Sequence, residues 1–143
     1  MDIIKPDNRK FTIDFPTFIP RKINHALSKK VYANIPSGMQ TYYDELLANG
    51  WSFYAVNMCK WSGLCYSAGV ITISTRTLTD TCDSIRLWVL AHEMSHAYAG
   101  HDNKHNVIFM QWLKRICPAE HIHHELAYKP RNAAMAGIMP VDF

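Results

Sequence analysis

No C-x-x-C pair occurs in this 143-residue chain, so Cys59, Cys65, Cys82 and Cys117 offer neither a zinc ribbon nor a disulfide framework. Reduced packing residues are expected, since free cysteine is commonly buried. No apolar run approaches the roughly 20 residues needed to cross a bilayer. The start, MDIIKPDNRKFTIDF, lacks a basic stretch followed by an apolar one. Neither a membrane span nor a secretory leader is expected, and the cytoplasm is the default compartment. Charge of one sign is also scarce. Fifteen Lys and Arg against twelve Asp and Glu give a net charge of +3, compatible with DNA contact but thinner than the basic face of a dedicated nucleic-acid domain. Repeats and low-complexity tracts are missing too. What remains, 48% hydrophobic and 19% charged residues, is an ordinary globular balance for one domain.

Three stretches differ in character. Residues 1–36 read as a lead-in: KPDNRKFTIDFPTFIPRK holds three prolines, and Ile23, Leu27 and Val31 then suggest a short helix with Lys22, Lys29 and Lys30 towards solvent. Residues 37–118 read as the core. Ser37 is the expected cap of a helix whose Met39, Tyr42, Tyr43, Leu46 and Leu47 fall on one face, and Gly50 is placed to end it. WSFYAVNM and GLCYSAGVITIS supply three short strands, with a hairpin turn at Ser67, Ala68 and Gly69. Residues 119–143 read as a tail packing on the core, in which HIHHE (His121, His123, His124 and Glu125) is expected to be a polar loop after Pro118.

The chemistry concentrates in AHEMSHAYAGHDNKHNVIF, residues 91–109. From about Thr81 to Tyr98, residues Ile85, Leu87, Trp88, Val89, Leu90, Ala91, Met94 and Ala97 predict a central buried helix. His92 and His96 lie on it one turn apart, about 40° around the axis and about 6 Å along it, so their rings enter the same space. Glu93 stands beside them. This is the H-E-x-x-H arrangement, in which two histidines bind zinc and the glutamate is general base. A catalytic zinc needs a third protein ligand and leaves its fourth position to water. With the helix expected to end and the chain to reverse at Gly100, His105 is best placed to supply it, from the start of a helix with an apolar face of Ile108, Phe109, Trp112, Leu113 and Ile116. His101 and Asp102 are nearer in sequence, but the metzincin pattern that would use Asp102 needs glycine where this chain has Ala99. Glu120 and Glu125 are the remote, gluzincin-like alternatives.

These segments together resemble the SprT-like metallopeptidases. GLCYSAGVITIS is similar to that family's hairpin leading into an I-x-L/I-S strand, HEMSHAYAGH to its metal helix, and KHNVIFMQWLKRI to its H-G-x-x-F segment, over about residues 37–117. Asn106 replaces the usual glycine after the third histidine but suits a helix start, and Ile108 stands where a polar or acidic residue is usual. The family's C-terminal zinc ribbon has no counterpart in this sequence. The resemblance implies an α+β, zincin-like single domain, with a small three-stranded sheet packed on helices around a central H-E-x-x-H helix. It also implies His92, His96 and His105 as zinc ligands, Glu93 as the catalytic base, and a protein substrate.

Family members often act on DNA-bound proteins. Lys114 and Arg115 near Trp112, with Lys129 and Arg131 beyond, could track a phosphate backbone, although basic residues also belong at the end of a helix. Tyr66, Tyr98 and His101 are the candidates for stabilising the oxyanion. Two other functions fit the residues. One is an ImmA-like, repressor-cleaving peptidase, suggested by AAMAGIMP, in which an acidic residue such as Glu125 would be the third ligand. The other is a non-catalytic, zinc-stabilised interaction module.

Overall fold

A computed structural model describes residues 28, 29, 32–57, 61–66, 69–100 and 105–128. The expected helix through Ile23, Leu27 and Val31 lies mostly outside this range, as do the hairpin residues Ser67 and Ala68 and everything after Tyr128. Helix α1 (Ser37–Ala48) follows Pro36, whose extended backbone makes it the N-cap in place of Ser37, the first helical residue. The C-terminus follows expectation. Gly50 takes a positive φ of 92°, the Trp51 N–H donates to the Leu46 carbonyl at 3.0 Å, and the Gly50 N–H donates to Leu47 at 3.1 Å. This paired closure satisfies two carbonyls that a helix end otherwise leaves open. Met39 and Leu46 are buried, whereas Leu47, expected on the same face, is exposed.

Strands β1 (Ser52–Val56), β2 (Gly63–Tyr66) and β3 (Val70–Ser74) form one sheet in the order β1-β3-β2. β1 runs parallel to β3, pairing Ser52 with Val70 and Val56 with Ser74, and β2 runs antiparallel, pairing Gly63 with Ile73. The middle strand, VITIS, is buried along its whole length, which its β-branched residues suit because both faces are covered. Gly69, at φ 95°, donates its N–H to the Tyr66 carbonyl and turns β2 into β3.

A short helix α2 (Thr75–Asp80) leads from β3 to the long helix α3 (Asp83–Ala99). Helix α2 was not expected, since threonine favours strands; here Thr79 bonds back to the Thr75 carbonyl and Thr81 to that of Thr77, while Thr77 and Leu78 are buried. Arg86 joins the end of α2 to α3 by donating to the Leu78 carbonyl at 3.1 Å and pairing with Asp83. α3 ends at Gly100, again at positive φ, 91°. Helix α4 (Val107–Ile116) starts at Asn106, whose side-chain oxygen accepts from the Phe109 N–H at 3.2 Å. That start turns Phe109, Met110, Leu113 and Ile116 inward, leaves Trp112 half-buried, and puts Ile108, expected in the core, at the surface. After Pro118, a 3-10 turn (Ala119–His121) and helix α5 (His123–Tyr128) replace the expected loop and pack on α3.

The result is a small α+β domain in which α3 packs against β2, β3 and α4. Its core joins Met39 and Leu46 of α1, Ile71 and Ile73 of β3, Leu90, Met94 and Ala97 of α3, and Phe109 and Leu113 of α4. Among the described residues no helix is long and apolar enough to cross a membrane, and Cys65, Cys82 and Cys117 are free thiols. Burial, with Glu125 and Glu120 nearby, pushes the Cys117 thiol up to about 12, as expected of a packing residue. Gly50→Ala tests the α1 closure: a left-handed alanine should remove about 1 kcal/mol of stability, seen as a fall of about 3–5 °C in Tm.

Candidate metal centre

α3 is buried from Val89 to Met94 except at His92, which is partly exposed. His92 and His96 project from one side of it, and His105, just before α4, lies against both. One ring nitrogen from each histidine lies within 4.8 Å of the other two, so the three can hold a single metal ion. The ring centroids are 5.1 Å apart for His92 and His96, and 4.9 Å for His105 with either. The His92 and His105 Nε2 atoms face each other at 3.0 Å. His105 adopts φ 54°, the left-handed region, which histidine visits more readily than most residues but at a cost. It is held there because Asn106 caps α4 one residue later.

Phe109 forms the floor of this cluster. Fully buried, its ring centroid is 4.9 Å from His92, 4.5 Å from His96 and 4.8 Å from His105, so one side chain fixes the packing of all three imidazoles.

The second nitrogen of His92 is committed elsewhere. Its Nδ1 lies 2.5 Å from Glu125 Oε1, which also accepts the Trp88 indole N–H at 3.2 Å. Glu125 is fully buried. Burial pushes its carboxyl up, but the hydrogen bond and charge of His92, the Trp88 N–H and the charge of His105 outweigh this and hold it below the ordinary glutamate value. An ionised Glu125 accepting the Nδ1 proton fixes the tautomer that leaves His92 Nε2 with its lone pair facing the cluster. Glu125 is therefore on the opposite side of the His92 ring from the shared space, which argues against it as the third ligand. The sequence offered no signal for this orienting role beyond an acidic residue downstream of the motif.

Glu93 is buried beside β2. A Cβ on Gly63 would stand 3.0 Å from Glu93 Cγ and 3.1 Å from its Oε2, with the Thr72 carbonyl also at 3.1 Å. A side chain at Gly63 would thus displace Glu93 or β2. Cys65, two residues on, shares this face, its thiol raised by burial and by the charge of Glu93. Strand alternation puts Tyr66 on the other face.

Tyr98, another candidate donor, directs its hydroxyl to Glu45 Oε1 at 2.7 Å and to the Tyr42 carbonyl at 3.0 Å, tying α3 to α1. His101 and Asp102 lie outside the described residues. Glu120 is exposed and lies near His121. Trp112 stacks on Tyr98 at 4.6 Å and is covered by Arg115 at 5.0 Å, so the aromatic surface considered for nucleic acid is already occupied. Lys129 and Arg131 are beyond the described range.

Glu125→Gln keeps the shape but removes the charge, and it should weaken metal binding by about 10–100-fold, measured by competition with a chromophoric chelator. In the metal-free protein, the lowered Glu125 value means that its stabilisation is complete above the ordinary carboxylate range and lost as pH falls through the folded value. Acid melts of wild type should show that loss, and Glu125→Gln should flatten it. Compared with known protein families, with characterised proteins and with solved structures, the chain matches none.

Proposed function

We propose that the protein is a zinc-dependent metalloendopeptidase of zincin-like architecture, with His92, His96 and His105 as ligands and Glu93 as general base. The observation that carries this reading is the convergence of three imidazoles around one space, with a buried glutamate adjacent in sequence to one of them. The donor set suits zinc: three neutral nitrogens, one oriented by a carboxylate, leave a fourth position open. Zinc bound there would supply Lewis acidity, polarising a scissile carbonyl and acidifying a water.

The remaining steps belong to the chain. Glu93 takes a proton from the attacking water and returns it to the departing amine. Phe109, fully buried against the three rings, keeps one side of the cluster dry, which strengthens each polar interaction. β2 is an edge strand beside Glu93, and an extended peptide can add to it through backbone hydrogen bonds. A protein is therefore the substrate class, and DNA-associated proteins are the first to test, on the resemblance of the motifs.

The repressor-peptidase alternative would use Glu125 as the third ligand, and its engagement with His92 Nδ1 favours His105 instead. His105→Ala should then empty the site.

Incubating zinc-loaded wild type and Glu93→Gln with a basic DNA-binding protein, with and without single-stranded DNA, should give fragments from wild type only, the variant losing about 10²–10⁴-fold in rate while keeping its zinc. Equal cleavage by both would reject Glu93 as base, and none from either would favour the interaction-module reading. Gly63→Ala should also lower cleavage with zinc retained, because β2 or Glu93 must shift.

A further inference from the structure

His121, His123 and His124 take no part in the cluster at His92, His96 and His105, yet two of them converge on one atom. Ser84 Oγ, in the first turn of α3, is 2.9 Å from His121 Nδ1 and 2.6 Å from His124 Nε2. His121 comes from the 3-10 turn and His124 from the start of α5, so three separate elements deliver these donors. Both histidines are partly buried.

We propose that Ser84, His121 and His124 form a second metal site, for a divalent transition-metal ion of the class that prefers imidazole ligands. Two imidazole nitrogens, each within hydrogen-bond distance of one hydroxyl oxygen, are a donor set for zinc, nickel or copper rather than for calcium or magnesium, which take oxygen ligands.

Charge around the rings supports it. Glu120 Oε1 lies 3.9 Å from His121 Nε2, on the far side of that ring from Ser84. A carboxylate there favours the proton on Nε2 and leaves the Nδ1 lone pair directed at Ser84. His123 is an internal control: its ring is 4.1 Å from that of His124, but its Nδ1 is bonded to the Glu120 carbonyl at 2.9 Å.

The site would join the first turn of α3 to the segment carrying Glu125, the residue after His124. An ion there would therefore fasten the segment that orients His92. The site itself does not depend on the peptidase reading, because its ligands are separate from those of the first cluster.

Counting nickel ions per chain by native mass spectrometry tests the proposal, with the full-length protein loaded with nickel alone and freed of excess. Two ions are expected in wild type and in His123→Ala, and one fewer in the His121→Ala, His124→Ala double variant. The double variant of His92 and His96 should keep the second ion, so failure of the first cluster to bind metal would be seen separately. Ser84→Ala, at a half-exposed position that should leave folding intact, should weaken the second ion by about tenfold or more. An unchanged count in the His121, His124 double variant overturns the proposal. So does an equal loss from His123→Ala, which would mark a non-specific histidine patch.

Discussion

Burying polar groups in a helix that must also build the core is the constraint on which this structure turns. α3 supplies Val89, Leu90, Ala91, Met94 and Ala97 to the interior, yet among them it carries His92, Glu93 and His96. An unpaired buried polar group costs about 1–3 kcal/mol, so each needs a partner. Glu125, itself fully buried, answers for His92 and in turn is kept ionised by it and by Trp88. Neither group is tolerable there alone: the carboxylate would be driven towards its neutral form and the imidazole would lose its fixed tautomer. The pair explains why α5 must pack on α3, and so why the chain continues past α4.

The same constraint shapes the neighbouring face of the helix. Glu93 has room only because β2 brings a glycine, Gly63, against it. β2 can come that close because β3, buried on both faces, holds it by the antiparallel register of Gly63 with Ile73. Across the cluster, the left-handed backbone of His105 is offset by the Asn106 cap and by Phe109, which enters the core and touches all three rings. Fold and site thus share their parts.

What could be read in the sequence follows from how local each feature is. The H-E-x-x-H pair needs only the geometry of a single helix, and Gly50 and Gly100 needed only the rule that helices close through left-handed residues. His105 required one further step, a reversal at Gly100 and a helix start at Asn106, each visible in its residue type. Glu125 was beyond reach as an orienting group. Its partner is 33 residues away, and the intervening Pro118 and polar HIHHE composition suggested a loop, whereas the segment is helical and buries Glu125 against α3. Helix α2 was missed for the opposite reason, because its threonines favour strands locally and only burial of Thr77 and Leu78 overrides them. Ile108 shows a finer limit: periodicity alone gave it a core position, and the register set by the Asn106 cap turned it out to solvent.

The chain's last described segment therefore has more to do than cover a surface. Glu125 reaches His92, and the preceding His124 reaches Ser84 at the start of the same helix. Two consecutive residues of α5 hold α3 at points eight residues apart, about 12 Å along the axis. A segment fixed at one point could pivot and change the aim of its carboxylate, whereas one fixed at two cannot do so without breaking a bond. Since the tautomer of His92 depends on that aim, whatever tightens the contact at Ser84 also tightens the geometry at the three histidines. The three-histidine cluster is then shaped by α5 as much as by the helix whose motif announces it.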